Sequence, residues 1–154
     1  LSCGESIDLI NDARTQLEKV SCEVTPNHML LDNLVMNRPT GIFWKVNPPL
    51  RSPEDRKAVY DRVLQGRADI LVSDHAPHTL KEKTCLPYLS GIVGLASWND
   101  AKQILISYGF PESLYEKMTH DNVNRIFGTN IQRGNKFKED HKGDYAFDPF
   151  AYLR

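Results

Sequence analysis

An apolar run that ends abruptly in an acid and two histidines constrains the fold of this chain more than any other feature. The run, Ala68–Ser73, is rich in aliphatic residues and has the length of a buried strand. Asp74, His75 and His78 follow it, with Pro77 between the histidines. Enzymes built from alternating strands and helices keep their catalytic groups at the carboxyl ends of strands. The sequence therefore predicts a strand that presents these three side chains at its carboxyl end.

A carboxylate next to imidazoles is suited to two kinds of chemistry. It can bind a metal ion such as Zn²⁺, and it can take part in proton transfer. The alternative interpretation is structural: Asp74 caps the next segment, and the histidines are ordinary loop residues. The pattern alone does not choose between these interpretations.

Strands and helices alternate along the chain. Two further strands are predicted, over Val20–Thr25 and Ile42–Val46, because a proline stands at or just beyond the end of each segment. A helix is predicted after Ser52, which is a good N-cap before a proline, and it ends near Gly66. Successive strand–helix units predict parallel strands joined by crossover helices. Other helices are predicted over residues 5–17, 92–107 and 111–118, and a polar loop over 79–89.

Four segments, in order, resemble segments of the dihydroorotases, which are cyclic amidohydrolases. Asp74–Lys83 resembles the signature segment of that family. The other three resemble its E-V-T-P-H-H, N-P-P-L-R-S and S-G-I-x-G segments and are Glu23–His28, Asn47–Ser52 and Ser90–Gly94. The resemblance implies an α/β fold that forms the C-terminal part of a metal-dependent amidohydrolase (β/α)₈ TIM barrel. The barrel would be truncated, because the chain has 154 residues and a complete barrel usually needs about 250.

The resemblance also divides the chain. Residues 1–130 correspond to the barrel, and residues 131–154 form a tail that could belong to a small β-sandwich or pack as an irregular segment. Leu1–Ser6 resembles the family's H-L-S-x-x-E-S without its histidine. We therefore expect a cleaved or truncated product, or one part of a split enzyme.

The resemblance implies the reaction and the residues that serve it. The reaction is the reversible hydrolysis of L-dihydroorotate to N-carbamoyl-L-aspartate in pyrimidine synthesis, with one or two Zn²⁺ ions per complete site. Asp74 would bind metal and act as the catalytic acid–base group, and Asn47 and His78 would bind substrate with the backbone of Ala76 and Gly91. Most metal ligands of the family are absent from this chain, so we expect it to be inactive alone and to hold no zinc tightly.

Two nearby histidines are assigned structural roles. His75 is expected to support the site, because many relatives have another residue there. His28 follows the end of the Val20–Thr25 strand, and we expect its ring to bond to backbone rather than to a metal.

Two alternatives to the enzyme remain open. One is a non-catalytic subunit that assembles with aspartate transcarbamoylase, as inactive dihydroorotase homologues do, or that associates with itself. The other is a different cyclic amidohydrolase such as a hydantoinase, which Asn47–Arg51 makes less favourable.

Composition excludes several other classes. The net charge is −1 with 25% charged residues, which argues against nucleic acid and anionic membranes as partners. No stretch approaches the roughly 18 apolar residues of a membrane span. The three cysteines are widely spaced and fit reduced thiols in a cytoplasmic protein. The resemblance to the dihydroorotases implies a small-molecule substrate as the partner.

Overall fold

The computed structural model describes residues 1–17, 19–134, 145 and 147–153, and it has an α/β fold. The helices are α1 (Gly4–Ala13), α2 (Pro26–Leu30), α3 (Pro53–Leu64), α4 (Leu80–Thr84), α5 (Trp98–Ser107), α6 (Glu112–Glu116) and α7 (Asn122–Phe127), and the strands are β1 (Glu23–Val24) and β2 (Ile70–Leu71). Turns of 3₁₀-helix cover Asn33–Asn37, Gly41–Trp44 and Ala151–Leu153, and a π-helical turn, Lys117–Asp121, joins α6 to α7.

Strands β1 and β2 pair in parallel, as the sequence predicts. Glu23 is opposite Ile70 and Val24 is opposite Leu71. The amide of Val72 extends the ladder by donating to Val24 O at 3.0 Å. Within the described part of the chain these two strands form an open sheet and do not close a barrel. Their carboxyl ends, where the predicted site residues begin, therefore lie side by side.

Helix α3, predicted as the crossover from the Ile42–Val46 segment to the Ala68–Ser73 strand, is the last helix of the connection between β1 and β2. Its N-cap is Ser52, whose hydroxyl oxygen accepts from the amide of Asp55 at 3.1 Å. Gly66, just past its end, has φ +72°, a conformation that glycine adopts without strain. Val59 and Val63 are fully buried and belong to the same core as the sheet. The local signals that predicted this helix are confirmed.

The predicted strand over Ile42–Val46 is wrong. Most of that segment is the 3₁₀ turn Gly41–Trp44, and its aromatic side chains pack against the end of the chain. The Trp44 indole donates to Pro149 O at 3.1 Å, and Phe147 stacks on Phe43 with 5.1 Å between ring centroids. A short apolar run has the same composition in a strand and in a buried turn, so its distant partners decide its conformation.

Some elements differ from the prediction in extent. The helix predicted over 5–17 ends at Ala13. The predicted loop over 79–89 contains α4, which begins at a capping box between Thr79 and Glu82. The helix predicted from residue 92 begins only at Trp98. The prediction missed the capping box, because its threonine and glutamate lie in a polar stretch without helical periodicity.

The tail is described only in part. Residues 135–144, which fall within the predicted solvated loop and tail, lie outside the described residues, as do 146 and 154. A β-sandwich strand in the tail, considered for residues 144–150, therefore lies partly outside the described residues. Phe150 is 1% exposed and belongs to the hydrophobic core. The described part of the tail therefore packs onto the core formed by the preceding residues.

Further expectations concern the thiols and membrane spans. Cys3, Cys22 and Cys85 are free thiols, which agrees with the prediction of no disulfide framework. Over the described ranges, every helix is too short or too polar to cross a membrane.

Candidate functional site

Asp74 lies just beyond the carboxyl end of β2, where the sequence places it. It is the one described residue other than glycine with a positive φ, +46°, and its side chain is exposed. Aspartate tolerates this left-handed conformation better than most residues, and such backbone strain is concentrated at functional sites. The carboxylate has no hydrogen bond or ion pair with another described residue. It is therefore free to bind a ligand or to exchange a proton.

The backbone before Asp74 is held by a close approach of another segment. A Cβ placed on Gly94 would lie 1.9 Å from Ser73 O, so only glycine fits there. The segment that contains Gly94 thus lies directly against the residue before Asp74. This contact helps to fix the backbone that orients the Asp74 side chain.

His28, after the end of β1, has the structural role that the sequence predicts. It is 3% exposed, with Nδ1 3.0 Å from the Thr25 hydroxyl and Nε2 2.9 Å from Pro48 O. Burial lowers the pKa of His28, although the Pro48 hydrogen bond and the nearby Asp74 carboxylate oppose that effect. His28 thereby joins the end of β1 to the turn that contains Asn47.

Asn47 precedes Pro48 through a cis peptide bond and is exposed. Its side-chain amide makes no hydrogen bond to another described residue. The amide offers two donors and an acceptor, and it lies on the turn that His28 attaches to the end of the sheet. Asn47 is thus available to a ligand at the carboxyl ends of the strands.

Three predicted substrate-binding residues lie together. A Cβ on Gly91 would be 2.4 Å from Ala76 O and 2.9 Å from the His78 ring. The His78 Nε2 is 3.1 Å from Ser90 O, and its Nδ1 is 3.7 Å from a Glu82 carboxylate oxygen. Within the described chain, no hydrogen bond joins this group directly to Asp74 or Asn47. The structure therefore resolves the predicted site into two parts at one end of the sheet.

His75 supports the loop and does not face a ligand. Its Nδ1 accepts from the amide of Leu95 at 3.1 Å, and its ring packs edge-on against Tyr145. His75 also forms an isolated parallel bridge with Ile92. These contacts support the structural interpretation of His75.

Lys83 is a residue of the site that the sequence interpretation did not single out. It is 5% exposed, and Nζ donates to three backbone carbonyl oxygens, one of them that of Gly91. Burial lowers the pKa of Lys83 to about 8, and the positive charge of Lys45 adds to this. Its position at the end of the Asp74–Lys83 signature segment was the signal available in the sequence.

The described residues do not form a metal site by themselves. They contain no group of three or more histidine, cysteine, aspartate or glutamate side chains that could hold a metal ion. A protein zinc site needs at least three such ligands. Asp74 is the one predicted ligand within the chain. The donor set therefore does not fit a self-contained zinc centre.

No protein-family model matches the chain, but curated dihydroorotases do. That of Fusobacterium nucleatum is 45% identical over 83 residues, covering 54% of this chain and 19% of that protein. That of Bacillus subtilis is 44% identical over 98 residues, covering 62% and 22%. That of Listeria monocytogenes is 36% identical over 108 residues, covering 70% and 25%. The predicted resemblance is confirmed, and the chain spans about a fifth to a quarter of these relatives' length.

Solved structures of cyclic amidohydrolases share the fold. The L-hydantoinase (dihydropyrimidinase) of Arthrobacter aurescens has a TM-score of 0.78 at 22% identity and covers 91% of this chain and 33% of its own. The dihydroorotase of Saccharomyces cerevisiae, in complex with 5-fluoroorotic acid, has a TM-score of 0.67 at 17% identity and covers 84% and 37%. At these identities the likeness establishes the fold alone. The chain thus has the fold of a fragment of an amidohydrolase barrel.

Proposed function

We propose, on the premise that this chain is homologous to part of the dihydroorotases, that it supplies the substrate-facing part of a dihydroorotase site. The reaction is the reversible hydrolysis of L-dihydroorotate to N-carbamoyl-L-aspartate in pyrimidine synthesis. One observation carries the proposal: the exposed Asp74 carboxylate, which has no partner among the described residues and lies in a left-handed conformation at the end of β2. The homology supports the choice of cyclic amide as substrate class.

Asp74 transfers the proton in this proposal. Hydrolysis adds water across the ring amide: a C–O bond forms at the carbonyl carbon and the C–N bond breaks. The Asp74 carboxylate takes the proton of the attacking water and then delivers it to the departing ring nitrogen, so no net proton is gained or lost at the residue. An exposed carboxylate without a competing partner is suited to both steps.

Asn47 and His78 bind the substrate. The Asn47 amide can pair with a ring amide, which has one donor and one acceptor. The His78 imidazole binds the substrate carboxylate. The amides of Ala76 and Gly91 already donate, to Ile92 O at 3.0 Å and Lys45 O at 2.9 Å. The backbone atoms left to contact the ligand are therefore carbonyl oxygens. One of them, Ala76 O, lies next to His78 and Gly91.

Zn²⁺ is the proposed cofactor, with Asp74 as one of its ligands. When bound, such an ion polarises the carbonyl and makes water more acidic. The other ligands must come from outside the described residues, since those residues hold no group of three ligands. The 154-residue chain alone is therefore proposed to be inactive.

A chimera tests this function. The segment of Bacillus subtilis dihydroorotase that matches this chain over 98 residues is replaced by the chain's own sequence. Hydrolysis of L-dihydroorotate and of dihydrouracil, which lacks the carboxylate, is then measured in parallel, with the unaltered Bacillus enzyme as control. We expect the chimera to hydrolyse dihydroorotate and to leave dihydrouracil largely intact.

Two outcomes would contradict the proposal. A folded, zinc-containing chimera that is inactive on both compounds would favour a non-catalytic, assembling role. A preference for dihydrouracil would favour a hydantoinase-type specificity.

A further inference from the structure

Lys83 is a buried cation whose donors are all used. Its Nζ donates to the carbonyl oxygens of Gly91 at 2.8 Å, Lys45 at 3.0 Å and Leu89 at 3.3 Å. An ammonium has three donors and no acceptor, so three carbonyls satisfy it completely. Buried lysines are rare unless they are paired. The burial of this charge against backbone dipoles alone therefore indicates a specific role for it.

The three carbonyls belong to segments that carry the proposed substrate contacts. Gly91 is one of those contacts, and Lys45 lies two residues before Asn47. The Gly91 amide also donates to Lys45 O at 2.9 Å, so that oxygen accepts from both the Gly91 amide and the Lys83 ammonium. The ammonium thus stands at the junction of the Gly91 segment and the Asn47 segment.

The helix that carries Lys83 also fixes His78. The N-cap of helix α4 is Thr79, the residue after His78, and both hydrogen bonds of its capping box are present. The amide of Thr79 donates to Glu82 Oε2 at 2.8 Å, and the amide of Glu82 donates to the Thr79 hydroxyl oxygen at 3.3 Å. The direction of His78 is therefore tied to the same short helix that places the ammonium.

We infer that Lys83 is a positioning residue for substrate binding, whose ammonium holds the Asn47 and Gly91 segments at a fixed separation while its helix fixes His78 beside them. The inference rests on the proposed function, because that separation matters when Asn47, His78 and Gly91 contact one substrate. Lys83 itself is buried and acts through these residues.

The link depends on the charge of Lys83. Burial lowers the pKa of Lys83 to about 8, with a smaller contribution from Lys45. His78 lines the same pocket as Lys83. The other ionisable groups close to Lys83 in the sequence are Lys81, Glu82, Cys85 and Tyr88. The Lys45 ammonium points to Tyr88 O, and Glu82 is engaged by the N-cap. When Lys83 loses its proton, two donors remain for three carbonyls, and the junction weakens.

Three variants separate the charge from the fold. Lys83→Met keeps the length of the side chain and removes its donors. Lys83→Arg keeps a charge that does not titrate in this pH range. Lys81→Met is the matched control, since Lys81 is exposed on the same helix.

The test is a titration of L-dihydroorotate into the ¹⁵N-labelled 154-residue chain, followed by NMR. We expect amide shifts at Ala76 and Gly91, and binding about tenfold weaker in Lys83→Met, since hydrogen bonds from a charged donor are lost. Lys81→Met should bind like the wild type. Wild-type affinity should fall several-fold from about pH 7 to about pH 9, and Lys83→Arg should not show this fall.

The outcomes distinguish this inference from the function on which it rests. Wild-type binding with equal affinity in Lys83→Met, or with no change across that pH range, overturns the role of Lys83 and leaves the proposed function intact. Absence of wild-type binding overturns the substrate contacts, and this inference with them. The pH dependence needs no variant, so a Lys83→Met chain that fails to fold does not remove the test.

Discussion

The Nε2 atom of His28 lies 2.9 Å from the carbonyl oxygen of Pro48. A carbonyl oxygen only accepts, so Nε2 carries the proton and Nδ1, 3.0 Å from the Thr25 hydroxyl, accepts. Burial lowers the pKa of the ring and so favours its neutral form, in which both nitrogens are paired. This pair of bonds ties the turn that contains Asn47 to the end of β1, across twenty residues of chain.

Charging His28 should destabilise the fold. Burial lowers the pKa of His28 below its usual value of about 6.5. Between the lowered pKa of His28 in the folded chain and about pH 6.5, the folded chain binds fewer protons than the unfolded chain. The contribution of His28 to stability is therefore present above this range and is lost as the pH falls through it. Urea unfolding from about pH 7.5 to 5 should show this decrease in the free energy of unfolding. If the free energy of unfolding falls equally with pH in the wild type and in His28→Gln, the decrease comes from other groups.

Gly94→Ala should destabilise the chain and disturb the backbone beside Asp74. A Cβ there would lie 1.9 Å from Ser73 O, and a backbone atom cannot move away cheaply. Overpacking of this kind costs about 1–3 kcal/mol. Gly134→Ala is the control, because a Cβ there meets nothing within 4 Å. Thermal unfolding of both variants measures the difference, and similar melting temperatures would show that the contact is not tight.

Removal of the Phe150 ring should unfold or strongly weaken the packing of the tail. Phe150 is 1% exposed, whereas Phe127 is 68% exposed. Phe150→Ala should therefore cost about 3–5 kcal/mol, and Phe127→Ala about 0.5 kcal/mol or less. Fluorescence of Trp44, whose indole bonds to Pro149 O, reports on the tail during denaturation. An equal loss of stability in both variants would contradict the packing described here.

Zinc should not remain bound to the isolated chain. The described residues offer no group of three ligands, and fewer than about three protein ligands do not hold Zn²⁺ in structural or catalytic sites. We expect elemental analysis after gel filtration to find far less than one zinc per chain. Stoichiometric zinc that depends on the chain's own residues would show that a complete site exists here.

The parts of the fold predicted from sequence are those with local signals. The Ser52 cap and Gly66 define α3 from residues within one helix, and the parallel pairing of β1 with β2 follows from the crossover rule. The conformation of residues 42–46 depends instead on Phe147 and Pro149, about a hundred residues later in the chain. No local pattern contains that information.

The candidate site divides in the same way. Asp74 was placed correctly because strand ends are visible in the sequence. Lys83 was missed although it belongs to the signature segment, because membership of that segment does not indicate that this lysine is buried against three carbonyl oxygens. The Pro48 partner of His28 likewise comes from a turn that only the tertiary fold brings near.

Turnover of L-dihydroorotate by the chimera with Asp74→Asn is the most direct test of the claim that Asp74 carries the chemistry. Asparagine keeps the shape of the side chain and cannot accept the proton. The account predicts that kcat falls by about 10²–10⁴-fold. Asp61→Asn, which alters an exposed ion pair with Lys57, should leave kcat near that of the parent chimera. A folded Asp74→Asn chimera that hydrolyses dihydroorotate at the parent rate would contradict the account.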